Sequence, residues 1–216
     1  MKKFSLLYND KEINQMIDSI NDKYKALFMA CHGRYHTDFV ITTVEYILKS
    51  LSYKEKIVEL GKIAGLFHDI GCVQARKGHS KISAEMCAVL LEKTSLSAKD
   101  REVIVQAVYD HSDGDNITSP VGAALLIADK SDVSKDRVLP LRYDDRWHRN
   151  LCEIEKMEIR IYDKIITINY ITSDNFSKDI LIEEWYKGIM LPIKAAEYLG
   201  CACRFEINGI ETEFDL

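Results

Sequence analysis

Glycine and proline are scarce, 10 and 3 of 216 residues, which excludes collagen-like and low-complexity architectures. Long apolar runs are missing too. The longest uncharged one, Val121 to Ala128, falls far short of the ~18 residues that a membrane-spanning helix requires. The opening MKKFSLLYNDKEINQ holds only a short apolar stretch, Phe4 to Tyr8, below the length of a signal-peptide core. A cytoplasmic location with no membrane partner is therefore expected. The six cysteines (Cys31, Cys72, Cys87, Cys152, Cys201 and Cys203) show no repeating spacing, so neither a disulfide framework nor a zinc knuckle is expected and the thiols are read as reduced. An excess of positive charge is absent as well: 29 basic against 34 acidic residues leave a net charge of -5. Non-specific nucleic-acid binding needs a cationic field that this chain as a whole lacks, and any phosphate binding has to be local.

What is present is an ordinary globular composition, 47% hydrophobic and 29% charged, enough for one large domain or one domain with an appendage. Its character changes near residue 150. Residues 151–216 carry 7 basic and 13 acidic side chains, whereas 1–150 carry 22 and 21. Up to about residue 136 the apolar positions recur at helical spacing. Ser97 with Asp100 reads as a capping box for a helix through Tyr109, with Gly114 as a left-handed stop. Ser119 followed by Pro120 opens a helix through about Val133. The tail alternates instead, predicting strands on either side of Asp163-Lys164, a helix over 176–199 and a hairpin at Asn208-Gly209. The expected fold is mainly α, with a helical domain over 1–150 and a small α+β appendage of ββαββ order over 151–216.

The chemistry is concentrated in the helical part, in His36, the adjacent pair His68-Asp69, His79, His111 and Asp129. Imidazole and carboxylate donors together suit one or two divalent transition-metal ions, iron, manganese, cobalt, nickel or zinc, rather than calcium or a cysteine-bound structural zinc. The spacing predicts His68-Asp69 at the end of a helix over Lys62 to Ile70 that Gly71 terminates. His79 is expected just before a helix starting near Ser80, His111 in the last turn of the next helix, and Asp129 mid-helix behind an apolar run. Ligands at the ends of several helices can face one cavity while the helix bodies pack. Gly33 is expected to leave His32 ahead of the helix that carries His36.

In the order RYHTDF (His36), FHDIG (His68-Asp69), KGHSKISAE (His79), YDHSDGD (His111) and IADKSD (Asp129), the chain resembles the HD-domain metal-dependent phosphohydrolases over roughly residues 25–137. The resemblance implies a helical domain in which His36, His68, Asp69 and Asp129 hold a first metal and Asp69 bridges to a second held by His79 and His111. It further implies hydrolysis of a phosphoester by a metal-activated hydroxide, with Asp69 as a catalytic residue; Lys130, beside Asp129, is the candidate catalytic cation that would neutralise developing charge. The implied partner is a small phosphorylated substrate, with nucleotides among the candidates. Arg34, Lys77, Lys81 and Arg137 are further candidate cations. The Gly-Tyr-Pro signature of the cyclic-di-GMP subfamily is missing after His111, and Ile70-Gly71-Cys72-Val73 replaces the acidic residues usual in the alarmone hydrolases. A di-iron oxygenase on the same ligands and a nucleotide-binding regulatory module are the alternatives.

Blander expectations cover the remaining candidates. His148 is expected at the surface, and Arg137, Arg142, Arg146 and Arg149 in an exposed segment salt-bridged to Asp136, Asp144 and Asp145. Cys201 and Cys203 are expected to share one strand face and pack. No catalytic residue is expected after Arg149. The tail is open to three roles: packing on the helical domain, covering the site mouth, or forming a homodimer contact.

Overall fold

The computed structural model describes residues 3–26, 32–114, 116–138 and 144–214. Cys31 and Arg142 lie outside the described residues. The helical part comprises α1 (Lys3–Tyr8), α2 (Lys11–Ala26), α3 (Arg34–Ser50), α4 (Glu55–Phe67), α5 (His79–Glu92), α6 (Ala98–Asp110), α7 (Pro120–Ser131) and α8 (Arg146–Cys152). Two 3-10 turns, Ile70–Val73 and Lys135–Arg137, follow α4 and α7. The tail forms β1 (Ile154–Tyr162), β2 (Ile165–Thr172), α9 (Lys178–Tyr198), β3 (Ala202–Ile207) and β4 (Ile210–Glu211). A mainly α chain with a ββαββ tail is thus observed.

Helix α7 is the hub. Every side chain from Val121 to Asp129 is buried, because α3, α4, α6 and α9 surround it. A helix covered on all sides needs apolar residues all round rather than an amphipathic stripe, which is why VGAALLIA carries no polar face. Its start is fixed by Ser119, whose side chain accepts from Gly122 N, with Pro120 in the first turn. Ser97 caps α6 in the same way, accepting from Asp100 N, and Gly114 is left-handed at φ 65°.

Helices α3 and α4 pack unusually closely at Gly61, where an added Cβ would fall 2.6 Å from Leu48 Cδ1 and 2.7 Å from Val44 Cγ1. That approach brings the start of α3 beside the end of α4. The helix expected over Lys62 to Ile70 instead begins at Glu55 and ends at Phe67. Its start was hidden because Lys54 at the N-cap makes no side-chain cap, so no Ser, Thr, Asp or Asn marks it. Gly71 is not a left-handed stop either: it lies inside the 3-10 turn. It is small for another reason, since a Cβ there would meet Ser83 N at 2.5 Å and His79 O at 2.6 Å.

In the tail, β1 and β2 pair antiparallel around a turn with Asp163 and Lys164 both at positive φ. Strand β3 joins β2 in parallel across α9 and turns back through Asn208-Gly209, again both at positive φ, to β4. The sheet order is β1-β2-β3-β4. Leu181, Ile189, Ile166, Ile168 and Tyr170 from the tail belong to the same buried cluster as the residues of α3, α4 and α7. Cys201 is buried and Cys203 partly so, and both are free thiols.

Candidate metal centre

The six side chains converge from five segments. His36 stands in the first turn of α3, His68 caps the end of α4, Asp69 follows it, His79 opens α5, His111 caps the end of α6, and Asp129 sits in the last turn of α7 rather than mid-helix. On one side, His36 Nε2 lies 3.1 Å from His68 Nε2, 3.5 Å from Asp69 Oδ2 and 3.2 Å from Asp129 Oδ1. His68 Nε2 lies 3.3 Å from Asp69 Oδ2 and 3.8 Å from Asp129 Oδ1. On the other side, His79 Nε2 and His111 Nε2 are 3.1 Å apart, at 3.2 and 3.5 Å from Asp69 Oδ1. Each oxygen of Asp69 therefore faces a different pair of histidines.

Two donors bonded to one ion at ~2.1 Å stand about 3.0 Å apart at a right angle and about 3.4 Å apart at a tetrahedral angle. The distances above surround those values. A second observation concerns satisfaction: Asp69 Oδ2 is buried and has no hydrogen-bond partner, an expensive state for a carboxylate unless a cation answers it. The donor set thus fits metal ions, and His36, His68 and Asp69 are one grouping that could hold one.

The imidazoles are also turned for that task. His68 Nδ1 lies 2.8 Å from the Gly65 carbonyl, His79 Nδ1 2.9 Å from that of Arg76, and His111 Nδ1 2.6 Å from that of Val108. A carbonyl only accepts, so Nδ1 carries the proton and Nε2 offers its lone pair. All three bonds reach back three residues. For His68 and His111, both at helix ends, the acceptor is a last-turn carbonyl left free by the helix.

Charge reinforces the pattern. Burial would push the Asp69 carboxyl up, but His68, His111 and His79 beside it hold it well below the usual carboxylate range. Burial opposes Asp129 in the same way and is outweighed by Lys130, whose Nζ is 2.6 Å from Oδ2, and by His36. Burial lowers His68, yet Asp69 and Asp129 lift it above its ordinary value; His79 is likewise raised, against burial, chiefly by Asp69. For His111 burial wins and the pKa is lowered. Exposure grades across the centre, from 0% for the His36 and His68 side chains to 14% for Lys130 and 22% for His79. The open side is therefore the side of His79 and Lys130.

Several expectations need correction. His148 is buried, not at the surface, because α8 packs against α9 and the Lys135–Arg137 turn. Arg137 is buried too, and its partner is Asp132 rather than a neighbour in an exposed charge run. Arg146 is exposed, as expected, but its partners Glu183 and Glu184 come from α9. Arg34 turns to Asn14 and Asp18 of α2, away from the centre, and Lys77 and Lys81 are exposed. Four residues around the centre escaped the sequence reading. Asp132 Oδ2 is 2.6 Å from His36 Nδ1, and Ser112 Oγ is 3.3 Å from His79 Nε2. Cys72 Sγ lies 3.7 Å from Asp69 Oδ1, its thiol pushed up by burial and by that carboxylate. Trp185 of α9 donates from Nε1 to the Lys130 carbonyl at 3.1 Å. Of these only Asp132, in the quoted IADKSD, carried a signal: a second carboxylate one helical turn after Asp129.

A helical bundle that gathers imidazoles and carboxylates from helix ends into a paired donor cluster defines a class of metal-centre proteins. The family model for the HD domain matches residues 34–168, a span that contains all six of these side chains, and the chain belongs to the HD-domain family. Among solved structures, it is similar to a predicted HD superfamily hydrolase from an uncultured Thermotogales bacterium, at 21% identity and a TM-score of 0.48, covering 62% of this chain and 75% of that one. No curated protein matches the chain.

Proposed function

We propose that this chain is a metal-dependent phosphohydrolase acting on a small phosphoester, a nucleotide or related molecule, at a dinuclear centre. The observation that carries the reading is Asp69, whose Oδ2 faces His36 and His68 while Oδ1 faces His79 and His111. His36, His68, Asp69 and Asp129 would hold the first ion, and Asp69, His79 and His111 the second. Lewis-acid polarisation of the phosphoryl group and the acidification of a water are the chemistry that iron, manganese, cobalt, nickel or zinc ions supply when bound there.

The chain's own residues do the rest. The backbone carbonyls of Gly65, Arg76 and Val108 hold three imidazole protons on Nδ1, so no ring has to reorient. Only two carboxylates, Asp69 and Asp129, enter the donor cluster, too few to neutralise two dications, and the pocket is left attractive to anions. Lys130 flanks the open side with its ammonium on Asp129 Oδ2. There it can share its protons between that oxygen and an approaching phosphate, meeting charge that develops on the leaving group.

Purified protein loaded in turn with manganese, iron, cobalt, nickel and zinc should release phosphate or alcohol from members of a nucleotide and sugar-phosphate panel, with His68→Ala inactive. Substrate-dependent oxygen uptake confined to the iron protein, with no phosphoester turned over under any metal, would overturn the proposal.

A further inference from the structure

His36 is the exception among the four imidazoles. It lies in the first turn of α3, where the residue three back is Gly33, whose carbonyl already accepts from Thr37 N at 3.0 Å. No free last-turn carbonyl is available at a helix start. The chain brings an acceptor from elsewhere: Asp132, just past the end of α7, places Oδ2 2.6 Å from His36 Nδ1. Asp132 is itself held by Arg137, whose Nη1 donates to its carbonyl at 3.1 Å and to Oδ2 at 3.3 Å. All three residues are buried, at 0, 4 and 7% exposure for His36, Asp132 and Arg137. A buried carboxylate is tolerated when a paired cation and hydrogen bonds answer it, and here both come from the Lys135–Arg137 turn.

Arg137 Nη1 also lies 2.8 Å from His36 Nδ1. If that nitrogen were bare, the guanidinium would donate to it, the proton would sit on Nε2 facing Asp129, and the lone pair would be lost to the centre. If Asp132 takes the proton of Nδ1, both donors point at one carboxylate and Nε2 is free. We infer that Asp132, neutralised by Arg137, is a positioning residue that fixes His36 as the Nδ1–H tautomer and aims its Nε2 into the first metal position. The inference rests on the metal reading above, and deepens it by assigning the support of its most enclosed ligand.

The test combines a manganese titration with nitrogen-15 spectra of the imidazoles, His36 being assigned by its loss in His36→Gln. Asp132→Ala should weaken manganese binding at the four-ligand position by about 10- to 100-fold and leave the His79/His111 position unchanged. Because Asp132→Ala strands the Arg137 charge, Asp132→Ala/Arg137→Met, which removes both, should show the same split between positions. Asp132→Asn, which keeps an acceptor, should recover most of the affinity. In the metal-free wild type, His36 should show the proton on Nδ1, and in the double variant that preference should disappear. Wild-type affinity at both positions in the double variant would overturn the inference while leaving the metal centre standing. Should the wild type bind no manganese, the reading of the centre fails, and the spectrum still decides: a proton on Nε2 of His36 would overturn the tautomer assignment, and a proton on Nδ1 would support it. Variants that do not fold leave the wild-type spectrum to decide in the same way.

Discussion

Replacing Asp69 by asparagine keeps the shape of the side chain and removes the charge that both halves of the centre share. With Oδ2 toward His36 and His68 and Oδ1 toward His79 and His111, a single substitution should empty both positions. The expected metal content falls from about two equivalents to well under one, read by elemental analysis of folded protein. Proton competition gives a second expectation at this scale. His68 and His79 are raised above the ordinary imidazole value, against burial, by Asp69 and, for His68, Asp129. In the metal-free protein they therefore keep protons to higher pH than a free histidine, and metal must displace them. Apparent affinity should fall as pH drops from about 8 to about 6, with protons released on binding; isothermal titration in two buffers of different ionisation enthalpy measures that release. A pH-independent affinity would contradict it. The six side chains that cluster here were legible in the sequence as candidate ligands because ligand chemistry restricts residue type. Asp132 was marked only by its spacing from Asp129, and Arg137 and His148 were not legible, since Asp136 and Lys135 beside Arg137, and the charged residues around His148, give a local pattern indistinguishable from an exposed salt-bridged loop. The burial of Arg137 and His148 comes from the packing of α8 against the Lys135–Arg137 turn and against α9, whose residues lie far along the chain.

At the scale of elements, the centre depends on close approaches that carry no donor atom. Gly71 lets the turn after Asp69 lie against the first turns of α5: an added Cβ would meet the backbone atoms Ser83 N and His79 O at 2.5 and 2.6 Å. Backbone cannot swing aside as a side-chain tip can. Gly71→Ala should therefore push the α5 start, and His79 with it, away from Asp69, at a cost of about 1–3 kcal/mol for overpacking. The first position, built from α3, α4 and α7, should be spared, so metal content is expected to fall to about one equivalent with thermal unfolding shifted down. Retention of both ions would show that α5 has slack the distances do not suggest. Helix starts at Ser97 and Ser119 and the turn at Asn208-Gly209 were readable because their local chemistry specifies them. The start of α4 at Glu55 and the role of Gly71 were not. The first lacks a cap, and the second is a glycine demanded by a neighbour twelve residues on rather than by its own dihedral angles.

At the scale of the whole molecule, the tail and the helical part differ in charge and element type yet share one interior. Helix α9 covers one flank of α7, and its Leu181, Ile189, Leu191, Ala195 and Ala196 are buried. Leu191 is seated where a Cβ on Gly114 would come within 2.5 Å of its Cδ2. The same helix reaches the open side of the centre through Trp185 on the Lys130 carbonyl and Lys187 on Asp113 at 3.2 Å. Trp185 leaves helical geometry, at φ -126° and ψ 28°, and stacks on Trp147 with ring centroids 5.8 Å apart. We propose that residues 151–216, although distinct in pattern, fold only together with 1–150. Removing them would expose one side of α7, whose VGAALLIA has no polar face to turn to water, and an exposed apolar surface of that kind aggregates. Truncation after Asn150 should thus yield insoluble protein. Trp185→Ala in the full chain should instead stay folded and lose the tether on Lys130, altering turnover more than metal content. A soluble 1–150 fragment with full metal content would overturn the proposal and make the tail an independent appendage. Two separate calorimetric transitions in the intact chain would do the same, because one shared core requires the two regions to melt as one.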